Sequence, residues 1–469
     1  MLRRLPSFPT RPIAMLARAT LAGIGVAIAA VARPVAAQTA LSPPAPRTIT
    51  LHDVLDSALT RHPLSQAAGA RVNAARGART TAGAIGNPML SYDVENAPFP
   101  GGDPIVGMAR ETMATATVPL ASIVQRFPRA RRADAEVRAA EADARLARQQ
   151  LALDASRAFF RTALAQVSVD AANDLTAWLD SVVAYNKSRV EQGVTAEADL
   201  IRAELERDRA AAAATLQEAD LARARAELGT FLGESPASGA HVVVVIDDAP
   251  FAMPVPDNTT AGSGSATGIA SRATVSQRPD VRAAQERLTA ASAGIKTERS
   301  MIVRDLGATF GAKWTAGTTS MVAGVSMPLP VFDPNRGEIA RASAERDAAA
   351  YELAARERMA SAELSGAYDA ARLLTERATV LAQGANGRPP LLARADDARR
   401  IALGAYREGA VSLLQVIDAA RAWGDARLTF YQTLYAQHES IAALLVARGA
   451  DLLTQLPLLA SGVRTTPSR

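Results

Sequence analysis

An internal repeat is the sequence feature that most limits how this chain can fold. Pro279 lies 216 positions after Pro63, and each proline precedes a similar alanine-rich segment with helical spacing. The same offset of 216 positions separates Gly409 from Gly193. The matches between these points keep an offset of 209, which requires one short deletion in a loop. Because duplicated units fold alike, each copy must build the same strands and helices.

Two structural repeats are therefore predicted, over residues 38–268 and 269–469. Each contains a helix, a β-hairpin and two long helices joined by a sharp turn. The first helix is expected over residues 51–84, before the stop signal Gly86-Asn87-Pro88. The other predicted elements are hairpins at about 89–118 and 305–328, long helices at about 129–189, 197–232, 336–407 and 411–456, and a linker at 233–268 in which 242–246 could form a short strand.

The N-terminus has the layout of a secretory signal peptide, predicted over residues 1–37. Five arginines and no acidic residue accompany an apolar stretch, and small residues precede Gln38. A membrane anchor is the alternative, which Arg18 within the apolar stretch disfavours. Removing five positive charges from a net charge of +5 leaves a nearly neutral mature chain, which argues against a nucleic-acid partner.

Composition excludes several kinds of site. The chain has no cysteine, so disulfides, thiolate metal sites, a catalytic thiol and lipid attachment through a thiol are all excluded. Its four histidines lack ligand spacing, and no catalytic motif is present, so we expect no metal site, no cofactor and no enzyme activity. An aromatic content of 4% with abundant alanine favours long helices packed side by side.

Apolar and polar residues alternate in both predicted hairpins, which is the pattern of strands with one apolar face. Strands of this length, with Tyr92 and Trp314 near an interface, fit a transmembrane β-barrel, and a soluble half-buried sheet is the alternative. Four strands cannot close a barrel, and open edges cannot lie in lipid. Two chains would supply eight strands, and three would supply twelve and leave room for a channel.

The helices that follow the hairpins are too long for a compact domain. Some 60 residues of helix span roughly 90 Å. Apolar residues recur at alternating spacings of three and four from Leu413 to Leu444, which is the periodicity of a coiled coil.

Three features of the sequence are characteristic: Gly86-Asn87-Pro88, the segment 327–337 (Met-Pro-Leu-Pro-Val-Phe-Asp-Pro-Asn-Arg-Gly), and the turns at Gly193 and Gly409. They carry a resemblance to the TolC family, the outer membrane factors of tripartite efflux systems. It implies a mainly α fold with a transmembrane β part: a homotrimer whose twelve-stranded outer-membrane barrel, four strands per chain, continues into a helical tunnel through the periplasm. It also implies a periplasmic adaptor and an inner-membrane pump, expected to be of the resistance-nodulation-division type, as partners.

The resemblance further assigns roles to residues near the two turns. Those expected to contact the adaptor are Gln192, Gly193, Val194, Glu408, Gly409 and Ala410. Asp199 and Asp418 match family acids that narrow the closed end of the tunnel, whereas Gln415 replaces an expected aspartate. Rings of Asp199 and Asp418 in three chains would filter ions. The alternative is that both acids lie on a solvated helix face.

Function is thus expected to be passive export across the periplasm and outer membrane, powered by the partner pump. The segment 332–337 is similar to the branch that exports heavy-metal cations, which favours metal cations over drugs as cargo. A periplasmic coiled-coil adaptor or structural protein is the alternative function.

Overall fold

Long helices dominate the computed structural model, which describes residues 47–98, 107–233, 242–246, 248–254 and 272–460. The predicted signal peptide and most of the predicted linker lie outside these residues. The helices are α1 (Leu51–Arg61), α2 (Pro63–Ala82), α3 (Leu120–Glu191), α4 (Glu197–Leu232), α5 (Arg272–Gln277), α6 (Pro279–Ser300), α7 (Arg336–Gln383), α8 (Leu391–Arg407), α9 (Leu413–Ala447) and α10 (Leu452–Ala460). The strands are β1 (Arg47–Ile49), β2 (Met89–Glu95), β3 (Glu111–Pro119), β4 (Val242–Val244), β5 (Gly307–Thr315) and β6 (Thr318–Ser326).

Helix α3 has 72 residues and is therefore roughly 108 Å long. It packs along α2, α4, α6 and α9, while α7 packs against α6 and α9. Ten of its 21 buried residues are alanine, which lets neighbouring helices approach closely. The helix begins nine residues before the predicted start at 129, and Pro128 lies inside it. Pro128 is the ninth residue of the helix, beyond its first turn, so it removes one helical hydrogen bond and its ring crowds the carbonyl four residues earlier.

The four strands of the two hairpins form a single antiparallel sheet in the order β2-β3-β5-β6. The central pairing joins the two halves of the chain, with Glu111 opposite Thr315 and Pro119 opposite Gly307. Strand β3 runs directly into α3, and residues 327–335 connect β6 to α7, so one end of the sheet meets the long helices. We call this the helix end of the sheet.

A second, two-stranded sheet lies in the main core. Strand β4 pairs in parallel with β1, so the possible strand at 242–246 is present over Val242–Val244. Two glutamines on the helices hold this part of the chain, because each side chain binds both the backbone N–H and the backbone C=O of one residue. The Gln166 side chain bonds the N–H and C=O of Val244 at 2.8 and 3.1 Å, and Gln437 does the same for Phe251 at 3.1 and 2.8 Å.

Three predicted helices are interrupted, so their expected bounds were wrong. The helix expected over 51–84 breaks at His62, which is extended because Pro63 disfavours helical backbone before it. The helix expected over 336–407 is divided into α7 and α8, because Gly384 has a φ of 78° and Pro389-Pro390 follow it. The helix expected over 411–456 ends at Ala447, before Gly449 with a φ of 77°.

Candidate functional site

The helices before the two turns, α3 and α8, end in the same backbone motif. At the first turn, Gly193 has a φ of 71°, its N–H donates to the Val190 carbonyl at 2.9 Å, and the Val194 N–H donates to the Arg189 carbonyl at 2.9 Å. This is the Schellman arrangement, in which a left-handed residue lets the chain leave the helix while the last carbonyls keep donors.

The second turn repeats the arrangement around Gly409, whose φ is 78°. The Gly409 N–H donates to the Tyr406 carbonyl at 3.0 Å, and the Ala410 N–H donates to the Ala405 carbonyl at 2.8 Å. All the residues expected to contact an adaptor are exposed: Gln192, Gly193, Val194, Glu408, Gly409 and Ala410. The turns therefore present accessible tips on rigid helix ends.

A buried polar contact joins the two helix pairs just behind these tips. The Tyr406 hydroxyl donates to Oδ1 of Asn186 at 2.5 Å, and both side chains are buried. Tyr185 packs edge-on against Tyr406, and the Arg189 guanidinium lies over both rings, 5.6 and 5.7 Å from their centres. Burial raises the pKa of the Tyr406 phenol, so the hydroxyl keeps its proton and remains a donor.

Apolar side chains surround this contact and make it a small second core. Its buried members besides Tyr406 are Val182, Ala203, Leu413, Val416 and Ile417. These residues come from α3, α4 and α9, and Tyr406 comes from α8, so four helices meet here.

The three predicted gate residues lie in different environments. Asp199 is half-buried and lines a shallow, open cleft of about 490 Å³ together with Arg189, Arg202 and Tyr406. Gln415 is exposed and does not line that cleft. Asp418 is also exposed.

Asp418 lies near one end of a charged chain that crosses between helices. Its carboxylate lies 3.9 Å from Arg421, which in turn bonds Glu206 of α4 at 2.6 Å. Glu206 also accepts from Arg209 at 2.8 Å. The Arg421 and Arg209 hydrogen bonds outweigh burial and lower the pKa of Glu206, so this carboxylate is held ionised.

Tyr92 and Trp314 lie on the same face of the four-stranded sheet. Tyr92 lies in a row of paired residues that crosses the sheet through Ala114 and Ala312 to Met321. Trp314 lies in the next row of the same face. This face is exposed and apolar; its large side chains include Leu90, Tyr92, Phe310, Trp314, Met321 and Val325.

The opposite face of the sheet is polar, and its side chains bond across strands. Ser91 and Thr115 lie 2.6 Å apart, and Thr117 and Thr309 lie 3.0 Å apart. At the end of the sheet away from the helices, Lys313 forms an ion pair with Glu111. The sheet therefore has one face suited to an apolar environment and one suited to water.

Comparison with known proteins adds two findings. Residues 271–450 match the sequence profile of the outer membrane efflux protein family. Among curated proteins no relative is detected.

Several solved structures share the fold. The outer-membrane channel OprN is 21% identical with a TM-score of 0.68, over 86% of this chain and 90% of that chain. The outer membrane protein VceC from Vibrio cholerae is 18% identical with a TM-score of 0.68, over 85% of this chain and 96% of that chain. The CmeC outer membrane channel of Campylobacter jejuni is 16% identical with a TM-score of 0.69, over 88% of this chain and 90% of that chain.

Together, these matches support a TolC-like outer membrane factor. The resemblance drawn from the sequence is thus confirmed. No helix among the described residues is both long enough and apolar enough to cross a bilayer. Within the described ranges, no group of three or more acidic or histidine side chains is arranged to hold a metal ion.

The contact behind the tips was not predicted from the sequence. Asn186 continues the buried spacing of Leu179 and Val182 along α3. A polar side chain on an apolar stripe of the helix was therefore the sequence feature that could have indicated this contact. The contacts of Trp423, whose indole N–H donates to Asp396 at 2.5 Å, were not predicted from the sequence either. The Trp423 ring is flanked by two guanidinium groups, those of Arg399 and Arg427, at 4.2 and 4.9 Å from its centre.

Proposed function

We propose that this protein is the outer-membrane channel of a tripartite efflux system. The observation that carries the proposal is a sheet with one exposed apolar face and one hydrogen-bonded polar face, continuous with helices of up to 72 residues. A bilayer would cover the apolar face, and the helices are long enough to extend well into the periplasm.

The channel would be a homotrimer with a twelve-stranded barrel. Among the described residues, the outer edges of β2 and β6 pair with no strand, and backbone groups cannot remain unpaired in lipid. Strand directions alternate across the whole sheet, so β6 of one copy can pair antiparallel with β2 of the next without interrupting the pattern. Three copies give an interior wide enough for export, and an internal duplication accounts for the two similar halves.

The exposed tips would bind a periplasmic adaptor, and an inner-membrane pump, of the resistance-nodulation-division type, would supply energy. Asp199, Gln415 and Asp418 would then lie near the narrow end of the tunnel, and three copies would repeat each carboxylate around the axis. Such rings attract cations and retard other ions until the helix pairs move apart. Heavy-metal cations are the favoured cargo over drugs, on the resemblance of the segment 332–337.

The molecular mass of the particle tests the assembly. Light scattering of protein extracted from membranes with detergent, corrected for bound detergent, should give the mass of three chains. A water-soluble monomer or dimer would contradict the proposal and favour a periplasmic coiled-coil adaptor or structural protein.

The gate is tested by ion conductance in a planar bilayer. We expect the double variant Asp199→Ala, Asp418→Ala to conduct more than the parent. Asp220→Ala is a matched control, because Asp220 is a similarly exposed acid that pairs with an arginine three residues later. Equal conductance in the double variant and the parent would refute the gate assignment.

A further inference from the structure

The loop after the last strand of the sheet carries an exposed apolar surface. Phe332 is 99% exposed, and Leu329 and Val331 are each 72% exposed. A phenyl ring in this position loses the free energy of burial unless another surface covers it. We call residues 327–332 the apolar loop.

The apolar loop is held in place by a buried anchor. Asn335 is buried in a left-handed conformation with a φ of 62°, and its Nδ2 donates to the Glu298 carbonyl at 2.8 Å. Its Oδ1 accepts from Arg304 at 2.5 Å, and its N–H donates to the Asp333 carboxylate at 2.9 Å. The chain just after the apolar loop is therefore fixed, and within the loop the Val331 N–H donates to the Leu329 carbonyl at 2.8 Å. Both constraints lower the entropy cost of binding a partner.

A second fixed apolar segment lies at the opposite edge of the sheet. Residues 83–88 connect α2 to β2, and Ile85 is exposed there. The Gly86 N–H donates to the Ser122 hydroxyl oxygen at 3.1 Å, and the Ser122 hydroxyl donates to the Pro119 carbonyl at 2.6 Å. We call residues 83–88 the connector.

Both segments lie at the helix end of the sheet. Strand β6 ends there at Ser326, and β2 begins there at Met89. When β6 of one copy pairs with β2 of the next, the strands lie about 4.8 Å apart. The apolar loop of one copy is then brought beside the connector of the next.

We propose that the apolar loop of each chain packs on the connector of a second copy, with Val331 and Phe332 covering Ile85. This inference rests on the proposed function, because it requires neighbouring copies around one axis. Pairing of the strand edges does not by itself require this contact. In the proposed assembly, the apolar loop joins neighbouring copies at the helix end of the sheet.

Cross-linking of full-length protein in membranes tests the contact. Because the chain has no native cysteine, only the introduced cysteines can react. Val331→Cys and Ile85→Cys are made in separate chains with different affinity tags and are expressed together. A short bismaleimide should give a cross-linked dimer that carries both tags. The control replaces Ile85→Cys by Leu216→Cys, an exposed apolar position on α4, and should give no such product.

The mass measurement distinguishes the two possible failures. A particle of three chains without the doubly tagged product would overturn this inference and leave the proposed function standing. A monomeric particle would overturn both.

Substitution of the phenyl ring gives a second test. Phe332→Ser should raise the dissociation constant between detergent-solubilised copies by about ten- to a hundredfold, which corresponds to the burial of one phenyl side chain. Leu216→Ser should leave it unchanged. An unchanged constant in Phe332→Ser would mean that the ring contacts lipid instead of a second copy, and would overturn the inference.

Discussion

At the tips, one hydrogen bond between two buried side chains joins helices that are distant in sequence. Tyr406 on α8 has a single acceptor, Oδ1 of Asn186 on α3, and the Asn186 Nδ2 donates within its own helix to the Val182 carbonyl at 2.9 Å. Because both groups are buried, loss of either partner leaves a polar atom without water or protein to replace it.

Tyr406→Phe should lower the free energy of unfolding by about 1–3 kcal/mol, because it leaves the Asn186 oxygen unsatisfied. Since burial raises the pKa of the Tyr406 phenol, the contribution is complete below the usual tyrosine pKa and is lost as pH rises through the higher folded value. Denaturant unfolding at neutral pH measures the loss. Tyr351→Phe, at an exposed tyrosine on α7, is the control, and an equal loss in both variants would contradict the role of the bond.

His438 gives a second prediction at the residue scale. It is fully buried, stacks on Phe251 at 3.7 Å between ring centres, and bonds the Ala249 carbonyl at 3.1 Å. Burial lowers its pKa from 6.5 to about 4, so the folded state holds the neutral ring. The unfolded chain binds a proton first as pH falls, and the stability is therefore present above pH 6.5 and lost towards pH 4.

Between pH 7 and pH 4 the parent should lose about 3 kcal/mol more stability than His438→Phe, as the linkage of a shift of this size requires. Chemical unfolding at a series of pH values measures the difference. Parallel curves for the two proteins would show that His438 does not titrate in this way.

At the scale of elements, glycines decide where the long helices end. Gly384 closes α7 with a φ of 78°, and a Cβ at this position would lie 2.1 Å from the Arg388 carbonyl oxygen. Neither the backbone angle nor the space accepts another residue. The break between α7 and α8 is therefore fixed by one glycine together with the prolines that follow.

Gly384→Ala should destabilise the protein by about 1–3 kcal/mol or more, because alanine is strained at this backbone angle. Gly366→Ala is the matched control, since Gly366 lies within α7 with open space around its Cβ position. It should stabilise by about 0.5–1 kcal/mol. Thermal unfolding followed by circular dichroism measures both changes, and a neutral Gly384→Ala would refute the strain argument.

At the scale of the whole molecule, the two faces of the sheet require different surroundings. Met321 and Val322 are neighbours on β6 whose side chains point to opposite faces. Met321 is 84% exposed on the apolar face, so the proposed channel would place it against lipid.

Met321→Arg should reduce assembly in the outer membrane strongly, because an arginine facing lipid costs about 2–4 kcal/mol per chain. Val322→Arg faces the proposed aqueous interior and should assemble almost normally. Membrane fractionation and immunodetection compare the two. Equal assembly of both variants would argue that the sheet never contacts lipid.

The sequence alone was sufficient for the features set by local geometry. Alternation over 89–96 marked β2, the turns at Gly193 and Gly409 marked the tips, and the periodicity from Leu413 marked α9. Each depends on backbone angles and side-chain period within one segment, which the local sequence contains.

Only the tertiary structure decided the contacts between distant segments. The bond between Thr117 and Thr309 links positions 192 residues apart, and the Tyr406–Asn186 bond links positions 220 residues apart. The parallel pairing of β1 with β4 is of the same kind. No local period encodes such contacts, because they form only when the packing of whole helices offsets the entropy lost on closing the intervening chain.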